Sequence, residues 1–403
     1  MTVWLLIAAL AIPVLLVVAE AGSRWWVRRR SRYHVWSPGM RLEIRLAAEV
    51  FPQLEPRVRF DINGDGERGG DVPRGETGVY RVLAAGGSSV ECFALDQPTS
   101  WPGALERLLN TPRSREGLGA RRVHVGNIGH SGVASADLDL IFERVLPQYR
   151  HVDAILVMVG ASDIYHWLED GAPPSRPPSH IPEMMLFSSH PQQPFGWRPG
   201  EWALAEVARR LRRSWLHRIE VKERAGAWFA TARRMRAEAT EVRTTVPDPA
   251  AVLDHFEHHF DRLIRRAMTH ADRVLLVRQP WFESDYTAEE AARFWHGGVG
   301  RAWKETVSVY YSHEVINGLL GLVDVRAVKV ADELGIAHLN LRPLLTRGLR
   351  DYYDHDHYTP AGAAVVARAV AAALLERPAS AGRSLPRSEA VLASAAGSAS
   401  AAR

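Results

Sequence analysis

A serine hydroxyl becomes a useful nucleophile only when an imidazole can take its proton and a carboxylate fixes that imidazole's tautomer. This chain carries all three residue types where a sheet can bring them together. Gly86-Gly87-Ser88-Ser89 follows the apolar run Val82-Leu83-Ala84-Ala85. A small-residue turn at the carboxyl end of a buried strand presents a side chain at the functional edge of an α/β sheet. Far downstream, Asp351-Tyr352-Tyr353-Asp354-His355-Asp356-His357-Tyr358-Thr359-Pro360 supplies acids and imidazoles just before an Ala/Val-rich run that reads as the last helix. Asp354 and His357, three apart at a loop-to-helix junction, can aim at one point. Ser88 is then the nucleophile, His357 the base and later the acid, and Asp354 its orienter.

Acyl transfer also needs donors for the oxyanion, and backbone amides at glycine turns suit this because nothing blocks the approach. Asn127-Ile128-Gly129-His130-Ser131-Gly132 ends one expected strand and Gly160-Ala161-Ser162-Asp163 ends another. Other groups offer different chemistry. Asp351, Asp354, His355, Asp356 and His357 are metal-ligand types, but adjacent residues seldom converge on one ion, so neither a metal nor a cofactor is expected. His255, His258 and His259 lie at helix spacing beside Asp254, Glu257 and Asp261 and read as a solvated polar face. Cys92 reads as a packing residue, because a thiol nucleophile needs a base that this spacing does not place. Gln279, just past a strand, falls at the same edge as Ser88, as a substrate contact or an ordinary loop amide. Asp61-Ile62-Asn63-Gly64-Asp65-Gly66 opens like a calcium loop, but its twelfth position is Val72, so it reads as an Asn/Gly turn.

The elements that must position these groups alternate. Strands are expected at 81–85, 122–125, 154–159, 273–277 and 336–341. Helices are expected near 100–109, 134–146, 252–268, 315–334 and 361–375, from apolar residues recurring at helical spacing. Five strands alternating with helices argue for a doubly wound parallel sheet. Residues 23–79 read as an irregular lead-in with one short strand at 57–60, and 80–376 as the catalytic domain. A helical insertion at 166–249 interrupts that domain. Within it Leu204, Val207, Leu211, Trp215 and Ile219 form one stripe amid Arg209, Arg210, Arg212, Arg213 and Arg218, fit to pack on the core, lie on anionic lipid or cap the site. A second insertion-like stretch at 281–313 contains Gly297-Gly298-Val299-Gly300, which follows no strand directly and is not expected to be a phosphate loop. Residues 377–403, rich in Arg, Pro, Ala and Ser, read as a disordered tail.

The ordered set Gly-Gly-Ser, Asn-x-Gly-x-Ser-Gly, Gly-x-Ser-Asp and Asp-x-x-His-x-Thr-Pro-x-Gly resembles the SGNH hydrolase superfamily, the GDSL-like lipases and esterases, over about residues 81–375. The resemblance implies a flavodoxin-like three-layer α/β/α sandwich with a five-stranded parallel sheet. It also implies a triad of Ser88, Asp354 and His357 and oxyanion donors from the Ser88 and Gly132 amides. The third donor in that family is an Asn side chain, and Ser162 stands at its position. Membrane-tethered members are linked to deacylation of surface polysaccharide or lipid. The activity implied is ester hydrolysis on a small acyl ester, a lipid or an acylated carbohydrate. O-acyl transfer to a carbohydrate and a non-catalytic binding role on a decayed hydrolase fold are the alternatives.

Residues 3–19 carry no charge and match the short end of a bilayer span, so 1–22 is expected to be a single-pass transmembrane anchor, with Arg24-Trp25-Trp26-Val27-Arg28-Arg29-Arg30 at the interface. The positive-inside rule places the main domain in the cytoplasm, whereas the family resemblance places it outside. The 403-residue chain has 50 Lys+Arg against 46 Asp+Glu, an excess too small and too scattered to suggest nucleic-acid binding. Its single cysteine excludes a disulfide within the chain.

Overall fold

The expected parallel sheet forms because five apolar runs are separated by helices long enough to cross back over it. In the computed structural model, which describes residues 2–30, 32–72, 76–175, 177–188, 202–216 and 219–376, the strands are as follows. They are β1 (Arg41–Leu46), β2 (Arg57–Asp61), β3 (Val79–Gly86), β4 (Arg122–Asn127), β5 (Val152–Met158), β6 (Glu220–Ala225), β7 (Glu241–Arg243), β8 (Ala271–Val277), β9 (Val309–Tyr311) and β10 (Ala337–Leu339). The main sheet runs β10-β8-β5-β3-β4, and all its pairings are parallel. Chain order therefore reverses at β3, and open α/β sheets bind ligands in the crevice at such a switch point. Ser88 follows β3 directly.

Alternation along the strands makes the layers. Leu83 and Ala85 of β3, with Ile155, Val157, Val274 and Leu276, bury one face under helices Ser135–Val145, Ala161–Glu169, Ala250–His270 and His313–Leu334. Val82 and Ala84, with Val125, Leu156, Leu275 and Val277, bury the other under Trp101–Leu109 and Pro360–Leu375. This is the expected three-layer sandwich. Gly86 is required where β3 meets β5, since a Cβ there would sit 1.9 Å from the Met158 carbonyl oxygen.

Two expectations need correction. The lead-in is not irregular: β1 and β2 pair antiparallel with Ile44 opposite Val58, and β6 adds parallel to β1. Nor is the insertion purely helical, because β6 lies within it, as does β7, which pairs with β9. The sequence of β6, Glu-Val-Lys-Glu-Arg-Ala, has no apolar alternation and buries only Ala225, so its strand state comes from pairing with β1 rather than from propensity. The basic stripe forms helix Ala203–Leu216, ending before Ile219. It packs against the N-terminal helix, and Glu20 there accepts hydrogen bonds from the Ala203 and Leu204 amides at 2.9 and 3.0 Å, capping its start.

The N-terminal helix runs unbroken from Thr2 to Arg30. Among the described residues no helix is long and apolar enough to cross a membrane. Side chains of this helix are described only for 11–27, so the first half of the expected span at 3–19 lies outside them. The expected tail at 377–403 also lies outside the described residues. In the calcium-like loop, Asn63 Oδ1 accepts from the Asp65 and Glu67 amides at 2.9 and 3.0 Å, which is the Asn turn expected.

Candidate active site

Small residues end β3, and the chain turns at once into the short helix Ser88–Glu91, with Cys92 in the left-handed region at φ 52° closing it. That uncommon conformation for a residue with a Cβ is held from below by Arg68. The buried Arg68 guanidinium donates to the carbonyls of Glu91 (2.6 Å), Cys92 (3.0 Å), Leu95 (2.7 Å) and Arg59 (3.1 Å). Burial lowers its pKa to about 10, so it stays charged at neutral pH. Cys92 packs as expected, and burial pushes its thiol up to about 12. Ser89 is engaged elsewhere: its hydroxyl donates to the Asp356 carbonyl at 3.1 Å and accepts from Gln279 at 3.1 Å. Gln279 thus supports the turn.

The structure brings Ser88, His357 and Asp354 into one line of hydrogen bonds. Ser88 Oγ lies 2.7 Å from His357 Nε2, and His357 Nδ1 lies 2.9 and 2.8 Å from the two Asp354 oxygens. The spacing of three works because Asp354 Oδ1 also accepts from the Asp356 and His357 amides at 3.2 and 3.0 Å, which curls the loop so that the imidazole meets the carboxylate. Trp295 Nε1 donates to Asp354 Oδ2 at 3.3 Å, and the Tyr353 ring stacks on His357 at 5.5 Å. Burial alone would raise the Asp354 carboxyl, but the His357 charge and hydrogen bonds hold it below the usual carboxylate range. Burial alone would lower His357, and the carboxylates of Asp354 and Asp356 outweigh it, so its pKa is raised.

Across the crevice the loop after β4 is tied down. Asn127 accepts from the Gly129 amide and donates to the Val90 carbonyl, both at 2.8 Å. The buried Glu91 carboxylate accepts the Ser131 amide at 2.5 Å and the Ser131 hydroxyl. Gly132 follows at φ +79°, a turn that an L side chain rarely adopts. Among the described residues neither the Ser88 nor the Gly132 amide has a hydrogen bond to a protein acceptor, which leaves both available to a ligand. Ser162 opens helix Ala161–Glu169, with its hydroxyl 3.5 Å from where a Cβ on Gly87 would lie. Asp163 beside it is buried and accepts the Ser135 amide at 3.0 Å and hydroxyl at 2.5 Å, fixing that helix end.

Two groups of the downstream loop, Asp351 and His355, turn away from the line through Ser88, His357 and Asp354. Asp351 accepts the Thr346 amide at 2.7 Å, while His355 meets the Tyr165 hydroxyl and Asn317 Oδ1, each at 2.9 Å. His259 turns to Asp139 at 3.2 Å, where Arg266 also binds at 2.8 Å, in keeping with a polar helix face. Arg68, Glu91 and Trp295 are not flagged as site residues by the sequence motifs. Their roles arise from contacts across 20 or more positions, and only Glu91, a lone acid in the apolar run Val90-Glu91-Cys92-Phe93-Ala94-Leu95, carries a signal in the sequence.

No family model matches the chain, and no curated protein sequence matches it. Among solved structures it is similar to LAE5, an alpha/beta hydrolase enzyme from the metagenome of Lake Arreo, Spain, at 12% identity and TM-score 0.39, covering 74% of this chain and 97% of that one. It is also similar to Axe2, an acetylxylan esterase from Geobacillus stearothermophilus, at 14% identity and TM-score 0.37, covering 75% of this chain and 97% of that one. A catalytic mutant of Axe2 aligns at 12% identity and TM-score 0.40, with the same coverage.

Proposed function

We propose that the protein is a serine esterase or deacylase that works through an acyl-enzyme. The observation that carries this reading is the unbroken line from Ser88 Oγ through His357 to the fully buried Asp354. His357 Nε2 takes the hydroxyl proton as Ser88 Oγ bonds to the ester carbonyl carbon. Asp354, held ionised, keeps the remaining N–H on Nδ1 and stabilises the imidazolium. The Ser88 and Gly132 amides bind the oxyanion, with Ser162 as the third donor. His357 then protonates the departing alcohol. It next draws a proton from water as the water attacks the acyl carbon, and returns that proton to Ser88 Oγ as the bond from the serine to the acyl carbon breaks and the acid leaves.

The substrate in this reading is an acyl ester of a small alcohol, a lipid or a carbohydrate. The protein is held to a membrane by the helix Thr2–Arg30. In support, Ile12, Val14, Leu15, Val17 and Val18 point into solvent, a costly arrangement for a helix in water. Hydrolysis of p-nitrophenyl acetate by the wild type, with its loss in Ser88→Ala at unchanged melting temperature, tests the activity. A folded wild type with no hydrolysis and no acylation contradicts it and favours a binding role. Recovery in the soluble fraction after mild lysis contradicts the anchor.

A further inference from the structure

Asp356 is an acid of the downstream loop that takes no proton in the proposed reaction, and it is buried with one carboxylate oxygen lacking a hydrogen-bond partner. That oxygen, Oδ1, lies 3.4 Å from His357 Nδ1 and 3.9 Å from His296 Nε2. His296 comes from a separate stretch, 60 positions upstream. It is clamped between Tyr165, with ring centroids 4.2 Å apart, and Trp295, at 3.7 Å. The three ligand atoms lie within 4.8 Å of one another. Zinc bonded to nitrogen and oxygen at about 2.0–2.2 Å in a tetrahedron sets its ligand atoms about 3.3–3.6 Å apart. The two spacings from Asp356 Oδ1, 3.4 and 3.9 Å, lie in or within a few tenths of an ångström of that range.

We infer that His296, Asp356 and His357 form a zinc-type site that switches the serine off. This inference rests on the esterase reading for its consequence, though not for the binding itself. In the working tautomer the proton sits on His357 Nδ1, and Nε2 is the acceptor facing Ser88. A metal bonded to Nδ1 displaces that proton, which moves to Nε2, so the imidazole remains neutral and no proton is lost. Nε2 is now a donor, and the Ser88 hydroxyl has no base. The hydrogen bond from Nδ1 to Asp354 is given up in the same exchange. A neutral imidazole pair with one carboxylate suits zinc, copper and nickel better than magnesium or calcium.

The test uses the full chain in detergent, stripped of metal, with zinc measured by competition against a chromophoric chelator and Ser88 reactivity followed with a phosphonate probe. His296→Phe keeps the stacked ring and removes the ligand, and Asp356→Asn is the second variant. Melting temperatures check folding. The wild type is expected to bind one zinc more than either variant, and its probe labelling is expected to fall at least tenfold at saturating zinc while the His296→Phe protein keeps labelling. Equal stoichiometry in wild type and both variants overturns the inference. So does labelling that zinc suppresses equally in wild type and His296→Phe. If metal-free wild type never labels but still binds the extra zinc, the esterase reading fails and the site stands.

Discussion

The two sides of the crevice are built to different standards. On the His357 side every polar atom in the line is held: Asp354 is fully buried and takes two backbone amides, the imidazole and the Trp295 indole N–H. On the Ser162 side the backbone donors sit on well-tied turns, but the side-chain position carries a short hydroxyl that can accept as readily as donate. A group that must stay charged and oriented demands that investment, because an unpaired buried carboxylate costs several kcal/mol. An oxyanion exists only transiently, so a weaker donor there costs rate and not stability.

Variants that break the strong side come first. Ser88→Ala is expected to cut turnover about a million-fold, as for loss of a triad nucleophile, measured by ester hydrolysis with the variant checked free of wild type. A residual rate within tenfold of wild type contradicts the assignment. Asp354→Asn is expected to cost about 10⁴-fold, since the amide favours the wrong imidazole tautomer, while Ser88 stays in place. The same assay reads it.

The weak side predicts a gain. One oxyanion donor is worth roughly a hundredfold to a thousandfold, so Ser162→Asn is expected to raise kcat about tenfold or more, with Ser162→Ala lowering it. An unchanged kcat in both places the third donor elsewhere.

The smallest effect concerns pH. His357 is raised because Asp354 and Asp356 favour its charged form over the cost of burial. The base must be neutral to take the serine proton, so the rate is expected to climb with pH through a midpoint above the ordinary histidine value of about 6.5. For stability the sign is opposite: the contribution of charged His357 is present below its unfolded pKa and fades as pH rises through the higher folded one. Asp356→Asn removes one source of the shift and is expected to move the kinetic midpoint down. Trp295→Phe leaves Asp354 with one donor fewer and is expected to move it up, with a few-fold change in kcat. Midpoints that stay put in both variants deny these residues their electrostatic part.

Much of this was legible in the sequence. The five apolar runs, the Gly-Gly-Ser turn and the Asp354/His357 spacing each depend on short-range pattern, and a parallel sheet followed from alternation with helices, though its strand order did not. What the pattern could not show was set by distant partners. β6 is a strand only because β1 pairs with it, and Arg68 reads as one more surface arginine until the turn that it holds is seen. His296 sits in an insertion beside a glycine cluster, and its place near the site depends on Asp356, 60 positions later.

The central claim is that His357, oriented by Asp354, makes Ser88 and not Ser89 reactive. It is tested most directly by treating the full chain with a phosphonate serine probe and locating the adduct by peptide mass spectrometry. A single adduct on Ser88 is expected, abolished in His357→Ala and retained in Ser89→Ala. An adduct on Ser89, or undiminished labelling of Ser88 without His357, would contradict it.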